Sequence, residues 1–166
     1  MSTTEKPTLA ARPGQHGVDP RGPRFGAGIT AALLLTSIAL SLAGAGIGSI
    51  ILFAALVSLF AWGAFGGIQR HPYGLLFKRL IRPRLPAPTE LEDPAPPTFA
   101  QGVGFVITLT GLVLELIGVP YALVIAASAA FVAAFLNSVF GYCLGCQIYL
   151  LLVRAGIIRR KGATTA

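Results

Sequence analysis

Four long apolar runs govern what this chain can become. Gly26 to Ala43 is almost free of polar groups, and Ile47 to Gly67 follows after the short break Gly44-Ala45-Gly46. Phe99 to Gly118 and Pro120 to about Tyr142 form a second pair, with apolar character continuing through Val153. A membrane-crossing helix needs about 20 residues at about 1.5 Å rise each, and all four runs qualify. In lipid every backbone N–H and C=O must be bonded within its own segment, so the runs are expected to be helices. A soluble bundle would need a polar face on each helix, and these runs have none. Composition agrees: 11% of the residues are charged, against about 25% in soluble domains. The expected fold class is all-α, a polytopic membrane protein of four transmembrane helices.

The basic residues set the expected orientation. All thirteen Lys and Arg fall in three segments: Lys6 to Arg24, Arg70 to Arg84, and Arg154 to Lys161. The turns near Gly44 and Val119 have none. Basic loops stay in the cytoplasm, which places both termini and the central loop inside the inner (plasma) membrane. The net charge of +7 then serves an anionic bilayer surface, and nucleic acid is not an expected partner, because no compact basic fold is available to carry it. Residues 1–18 read as a Pro/Gly-rich disordered cytoplasmic tail without the apolar core of a signal peptide, and 159–166 as a basic cytoplasmic tail.

The two halves resemble each other. Asp19-Pro20-x-x-Pro23-x-Phe25-x-x-Gly28 recurs as Asp93-Pro94-x-x-Pro97-x-Phe99-x-x-Gly102, shifted by 74 positions. Phe65-Gly66 and Phe140-Gly141 close the second run of each half. Tyr73-Gly74-Leu75-Leu76-Phe77-Lys78 matches Tyr149-Leu150-Leu151-Leu152-Val153-Arg154 at a shift of 76. Both halves begin inside, so the expectation is a tandem parallel repeat of two helical hairpins. The first covers 19–85 and the second 98–158, joined by a Pro-rich cytoplasmic linker over 86–97. Tyr73, Leu76, Phe77, Leu80 and Ile81 keep helical spacing opposite Lys78, Arg79 and Arg82, the pattern of an amphipathic helix lying at the interface. Gly44-x-Gly46-x-Gly48, and Gly63 with Gly66 and Gly67, are expected to let helices approach closely.

Few residues can carry chemistry. Cys143 and Cys146, the only cysteines, form one Cys-x-x-Cys unit. Counted from Pro120, Cys143 lies about 35 Å along a helix, past a hydrocarbon core of about 30 Å, hence at the cytoplasmic surface. Such a pair can act as a redox or sulfur-carrying thiol pair, or be two small buried hydrophobes. Arg70 and His71, with Lys78, are candidate thiolate stabilisers. A structural zinc site wants four ligands, and His16 and His71 are the only histidines, so no metal is expected within one chain. Glu115 is the one ionisable group inside a span. It either binds a proton or cation, with Thr108 and Thr110 below it, or reaches the outer interface. Asn137 is placed to hydrogen-bond between helices. The Gly-x-Gly stretches lie within apolar runs and hold no phosphate, and no cofactor motif is present.

Val18-Asp19-Pro20-Arg21-Gly22-Pro23-Arg24-Phe25, Pro72-Tyr73-Gly74-Leu75-Leu76 and Gly141-Tyr142-Cys143-Leu144-Gly145-Cys146 together resemble a family of small four-span bacterial membrane proteins, common in actinobacteria, that carry a domain of unknown function. The resemblance runs from about Val18 to Arg154. It implies the four-span fold, singles out the cysteine pair, and points to a thioredoxin-like or rhodanese-like cytosolic partner. It implies no assigned activity, and the sequence does not decide whether the chain is an enzyme. Three functions fit the residues: a membrane thiol protein working through Cys143 and Cys146, a small transporter or channel that would need a homodimer to enclose a path, and a scaffold subunit of a membrane complex.

Overall fold

Each apolar run folds as one helix. The computed structural model describes residues 9–10 and 17–158, and the tails over 1–8, 11–16 and 159–166, with His16, lie outside them. Among the described residues there are six helices and no strand: α1 (Arg21–Leu42), α2 (Gly46–Gly66), α3 (Pro72–Leu76), α4 (Ala95–Leu116), α5 (Ala122–Phe140) and α6 (Leu144–Arg154). Helix α3 runs on through a wide turn at Phe77–Ile81 and a tight one at Arg82–Arg84. Four helices, α1, α2, α4 and α5, are long and apolar enough to cross a membrane.

Two of these helices start ahead of the apolar runs. α1 begins at Arg21 and takes in Pro23, and α4 begins at Ala95 and takes in Pro96 and Pro97. Proline fits a first turn, where the backbone N–H has no intrahelical partner anyway. An aspartate then supplies the acceptor: Asp19 Oδ1 takes the amide of Arg21 at 3.1 Å and Asp93 Oδ1 that of Ala95 at 2.9 Å. The end of the linker, with its Asp-Pro motif, is thus a helix start rather than free chain.

The long helices run alternately up and down. α1 packs chiefly on α5 and α2 on α4, with α1 also against α2 and α4 against α5, so the four close into a ring. The shorter α3 lies on α1 and α6 on α4. Leu34, Phe53, Leu56 and Leu123 are wholly enclosed at the centre, filled in by Ala126, Ala127 and Ala130 of α5. Small residues permit the close crossings: a Cβ on Gly111 would run into Ala126, and one on Gly104 into the Phe60 ring. α1 and α2 meet through a buried serine pair, with Ser49 Oγ donating to the Ser37 carbonyl at 2.9 Å. Gly63 makes the expected approach, against Gln101. Gly44, Gly46 and Gly48 do not, since a Cβ on any of them would meet open space. Gly44 instead makes the turn out of α1 at φ +80°, which suits a residue without a side chain.

Outward faces are apolar. Phe65 is 80% exposed and Ile125 67%, with Ile51, Trp62, Val106, Val132 and Val139 more than half exposed around the bundle. Such a surface over four helices of about 30 Å is what lipid, not water, stabilises. Asp19, Gly67, Asp93 and Gly141 mark one end of the bundle and the turns at Gly44 and Gly118 the other. At the first end Val18 and Glu92 exchange two backbone hydrogen bonds of 2.9 Å, pinning the two lead-in segments together.

Candidate functional site

The end of α5 is built to turn the chain sharply. Gly141 takes φ +67°, and its amide caps the Asn137 carbonyl. The Arg24 guanidinium packs directly over Gly141, so a side chain there would have to displace it. Cys143 follows in extended backbone as the residue before α6, and its Sγ accepts the amide of Cys146 at 3.3 Å. A sulfur in that place satisfies one of the free first-turn amides and sits at the positive end of the α6 dipole.

Cys143 and Cys146 are joined as a disulfide with Cα atoms 5.2 Å apart, inside the range a disulfide spans. Their exposures differ. Cys143 is half-buried, whereas Cys146 is 5% exposed and faces the bundle. Gly145 lies against Ala100 of α4, and Tyr149 stacks at an angle on Phe99, which seats α6. Behind the pair is a cavity of about 230 Å³, lined by Cys143, Thr30, Gln101, Asn137 and a set of alanines from α1, α4 and α5.

The other sequence candidates fall elsewhere. His71 is 3% exposed. Its Nδ1 accepts the amide of Tyr73 at 3.3 Å, starting α3, and its Nε2 lies 3.1 Å from the Leu59 carbonyl. Nδ1 as acceptor and Nε2–H as donor describe a neutral ring, and burial pushes the pKa of His71 down despite the Leu59 bond. His71 thus braces the end of α2 against α3 rather than offering a positive charge to a sulfur. Arg70 is exposed beside a different opening, a groove between α2 and α4. Among the described residues the cation that reaches the cysteine turn is Arg24, which was not among the residues singled out from the sequence. A hint was available: Arg24 and Gly141 lie at matching ends of the first and last apolar runs. Burial raises the pKa of Glu92, opposed by the charge of Arg24. Asp19 is held below the usual carboxylate range by its hydrogen bond to Arg21, at 2.8–2.9 Å.

Glu115 has a structural task. Its carboxylate accepts the amide of Leu123 at 3.0 Å, in the first turn of α5, a capping bond that suits a negative group at a helix start. Thr108 and Thr110 do not extend from it. Their hydroxyls donate to the carbonyls of Gly104 and Val106 within α4. Among the described residues no cluster of three or more His, Cys, Asp or Glu is placed to hold a metal ion.

A family profile described as a domain of unknown function, DUF4395, matches residues 18–154. The chain belongs to the DUF4395 family. The DUF4395 match starts at Val18, the residue paired with Glu92, and stops at Arg154, the last residue of α6. It therefore takes in the whole helical bundle and the cysteine turn. No curated protein and no solved structure matches the chain.

Proposed function

We propose that this chain is a multi-pass inner-membrane thiol–disulfide protein whose working pair is Cys143 and Cys146, at the cytoplasmic end of the bundle. The observation that carries this reading is the asymmetry at the start of α6: one accessible sulfur held at a helix N-terminus, its partner buried one turn later. In exchange with a thioredoxin-like dithiol, the partner's thiolate attacks Cys143 Sγ. The Cys143–Cys146 bond breaks, and Cys146 leaves with the electron pair and takes up a proton. The partner's second thiolate then attacks the mixed disulfide, freeing Cys143 and leaving the partner oxidised. A rhodanese-like protein is the other partner class the resemblance supplies.

The membrane placement rests on the apolar outer surface and on charge. Every described Lys and Arg belongs to the end that carries Asp19, Gly67 and Gly141, which supports a cytoplasmic location for that end. α3 with the wide turn after it buries Phe77, and α6 buries Cys146, Tyr149 and Leu150, while Leu75, Leu76, Leu80, Leu144, Ile148 and Leu151 stay exposed, supporting an interfacial position for both.

A tandem repeat is supported by matching turns. Gly44 and Gly118, and Gly67 and Gly141, are pairs 74 apart that all take positive φ. Val18 and Glu92, also 74 apart, pair with each other, as equivalent residues do on a twofold axis. The α1–α5 and α2–α4 packings exchange under the same relation. Aromatic contacts favour a different match of the trailing segments. Phe25 meets Phe77 as Phe99 meets Tyr149, an offset of 72 rather than 76. The extra residues lie in the first half, in the turn Ile68–Arg70.

The test is a redox equilibration in liposomes or mild detergent with a thioredoxin-like protein, read by alkylation mass shift. Two thiols are expected to appear on the folded chain as the partner is oxidised. A pair that becomes reducible only after the bundle is unfolded would make the cysteines packing residues.

A further inference from the structure

The cavity behind the cysteine pair has a composition that narrows what it can hold. Its described lining carries no charged side chain, so thiosulfate or another small anionic ligand would be buried there without a partner, at a cost of several kcal/mol or more. It reaches from Cys143 to Ile107, twelve residues along α4 from its start at Ala95. At about 1.5 Å per residue that is about 18 Å, or one leaflet deep. A ligand at that depth arrives most easily from lipid. The polar groups present are the carboxamides of Gln101 and Asn137 and the hydroxyl of Thr30. The two carboxamides can donate hydrogen bonds to a neutral oxygen, while the Thr30 hydroxyl is engaged with Tyr73, and alanines line the space between them. The rest of the wall is apolar, with Phe60, Val103, Leu144 and Ile148, apart from Cys143, one half of a couple that gives up two electrons and two protons.

The geometry points to a lipid-soluble quinone as the ligand of this cavity and as the electron acceptor of the cysteine pair. This rests on the thiol–disulfide role proposed above and supplies its second half-reaction. The S–H bonds of reduced Cys143 and Cys146 break and one S–S bond forms. The two electrons and two protons pass to the quinone, whose two carbonyl oxygens become the hydroxyls of a quinol. The chain would thereby drain electrons from a cytosolic dithiol into the membrane.

The experiment uses the full chain in liposomes, reduced and freed of excess reductant, with decylubiquinone as the probe under anaerobic conditions. One decylubiquinol per reformed disulfide is expected. Gln101→Leu and Asn137→Leu should each raise the half-saturating quinone concentration roughly tenfold, the weight of one lost hydrogen bond. In the unmutated reduced chain, decylubiquinol, which cannot oxidise thiols, should slow alkylation of Cys143 by N-ethylmaleimide, and decanol should not. A chain that exchanges normally with a dithiol yet forms no quinol would overturn the inference while leaving the thiol role intact. Equal protection by decanol would also overturn it, since the cavity would then accept any alkyl chain. A chain inert to dithiols but protected by decylubiquinol alone would instead remove the thiol role and keep the quinone site.

Discussion

Position 143 allows the chemistry of the site to be separated from its architecture. Cys143 both caps α6, through the 3.3 Å bond from the Cys146 amide, and forms half of the disulfide. Serine retains the capping acceptor and is a favoured cap, whereas alanine removes it at about 1 kcal/mol. Either substitution loses the cross-link, which closes a loop of four residues and contributes about 2 kcal/mol in the chain-entropy treatment. Against the oxidised parent, Cys143→Ser should therefore be about 2 kcal/mol less stable and Cys143→Ala about 3. Against the reduced parent the serine variant should be nearly neutral and the alanine variant about 1 kcal/mol worse. Unfolding followed by circular dichroism in mixed micelles, with and without reductant, gives these four differences. The same variants then report chemistry. Cys146→Ala leaves the accessible sulfur and should trap a dithiol protein as a stable mixed disulfide. Cys143→Ser leaves only a sulfur that is 5% exposed and should trap none. Equal trapping by the two single-cysteine variants, or serine as damaging as alanine under reducing conditions, would refute the assignment of roles.

The four long helices were legible in the sequence because they depend on bulk properties. Runs of about 20 apolar residues are long enough to cross a membrane as helices, and each forms one. Helix starts were harder to read. Pro23, Pro96 and Pro97 look like breakers, yet in a first turn they cost nothing, and the aspartates ahead of them complete the cap. The cysteine pair was visible as a motif, but its asymmetry was not, because burial of Cys146 depends on how α6 seats on α4. His71 was singled out as a candidate thiolate stabiliser and Glu115 as the one ionisable group inside a span. Each turned out to hold a backbone amide, a task that depends on where the chain turns rather than on composition. Gln101 and Thr30 stayed hidden because lone polar residues in a span do not reveal which cavity they line.

His71 gives the bundle a pH dependence. Its folded pKa is depressed, so its contribution is complete above the unfolded value of about 6.5 and is lost as pH falls through the lower folded value. Thermal unfolding should show stability declining below about pH 6.5, and His71→Asn should flatten that slope. Glu115→Ala should destabilise the chain by about 1 kcal/mol through the lost α5 cap, with ion flux in liposomes unchanged. A changed flux would support a transport role. Gly111→Leu should force α4 from α5 at Ala126, at a cost of about 1–3 kcal/mol, seen as a lowered unfolding midpoint and loosened cross-linking between α4 and α5.

Labelling of Cys143 in sealed vesicles bears most directly on where the thiol pair works. A membrane-impermeant maleimide applied after mild reduction should modify Cys143 in inverted vesicles and spare it in right-side-out ones. Labelling only in right-side-out vesicles would put the cysteine turn outside the cell and contradict a cytoplasmic thiol partner.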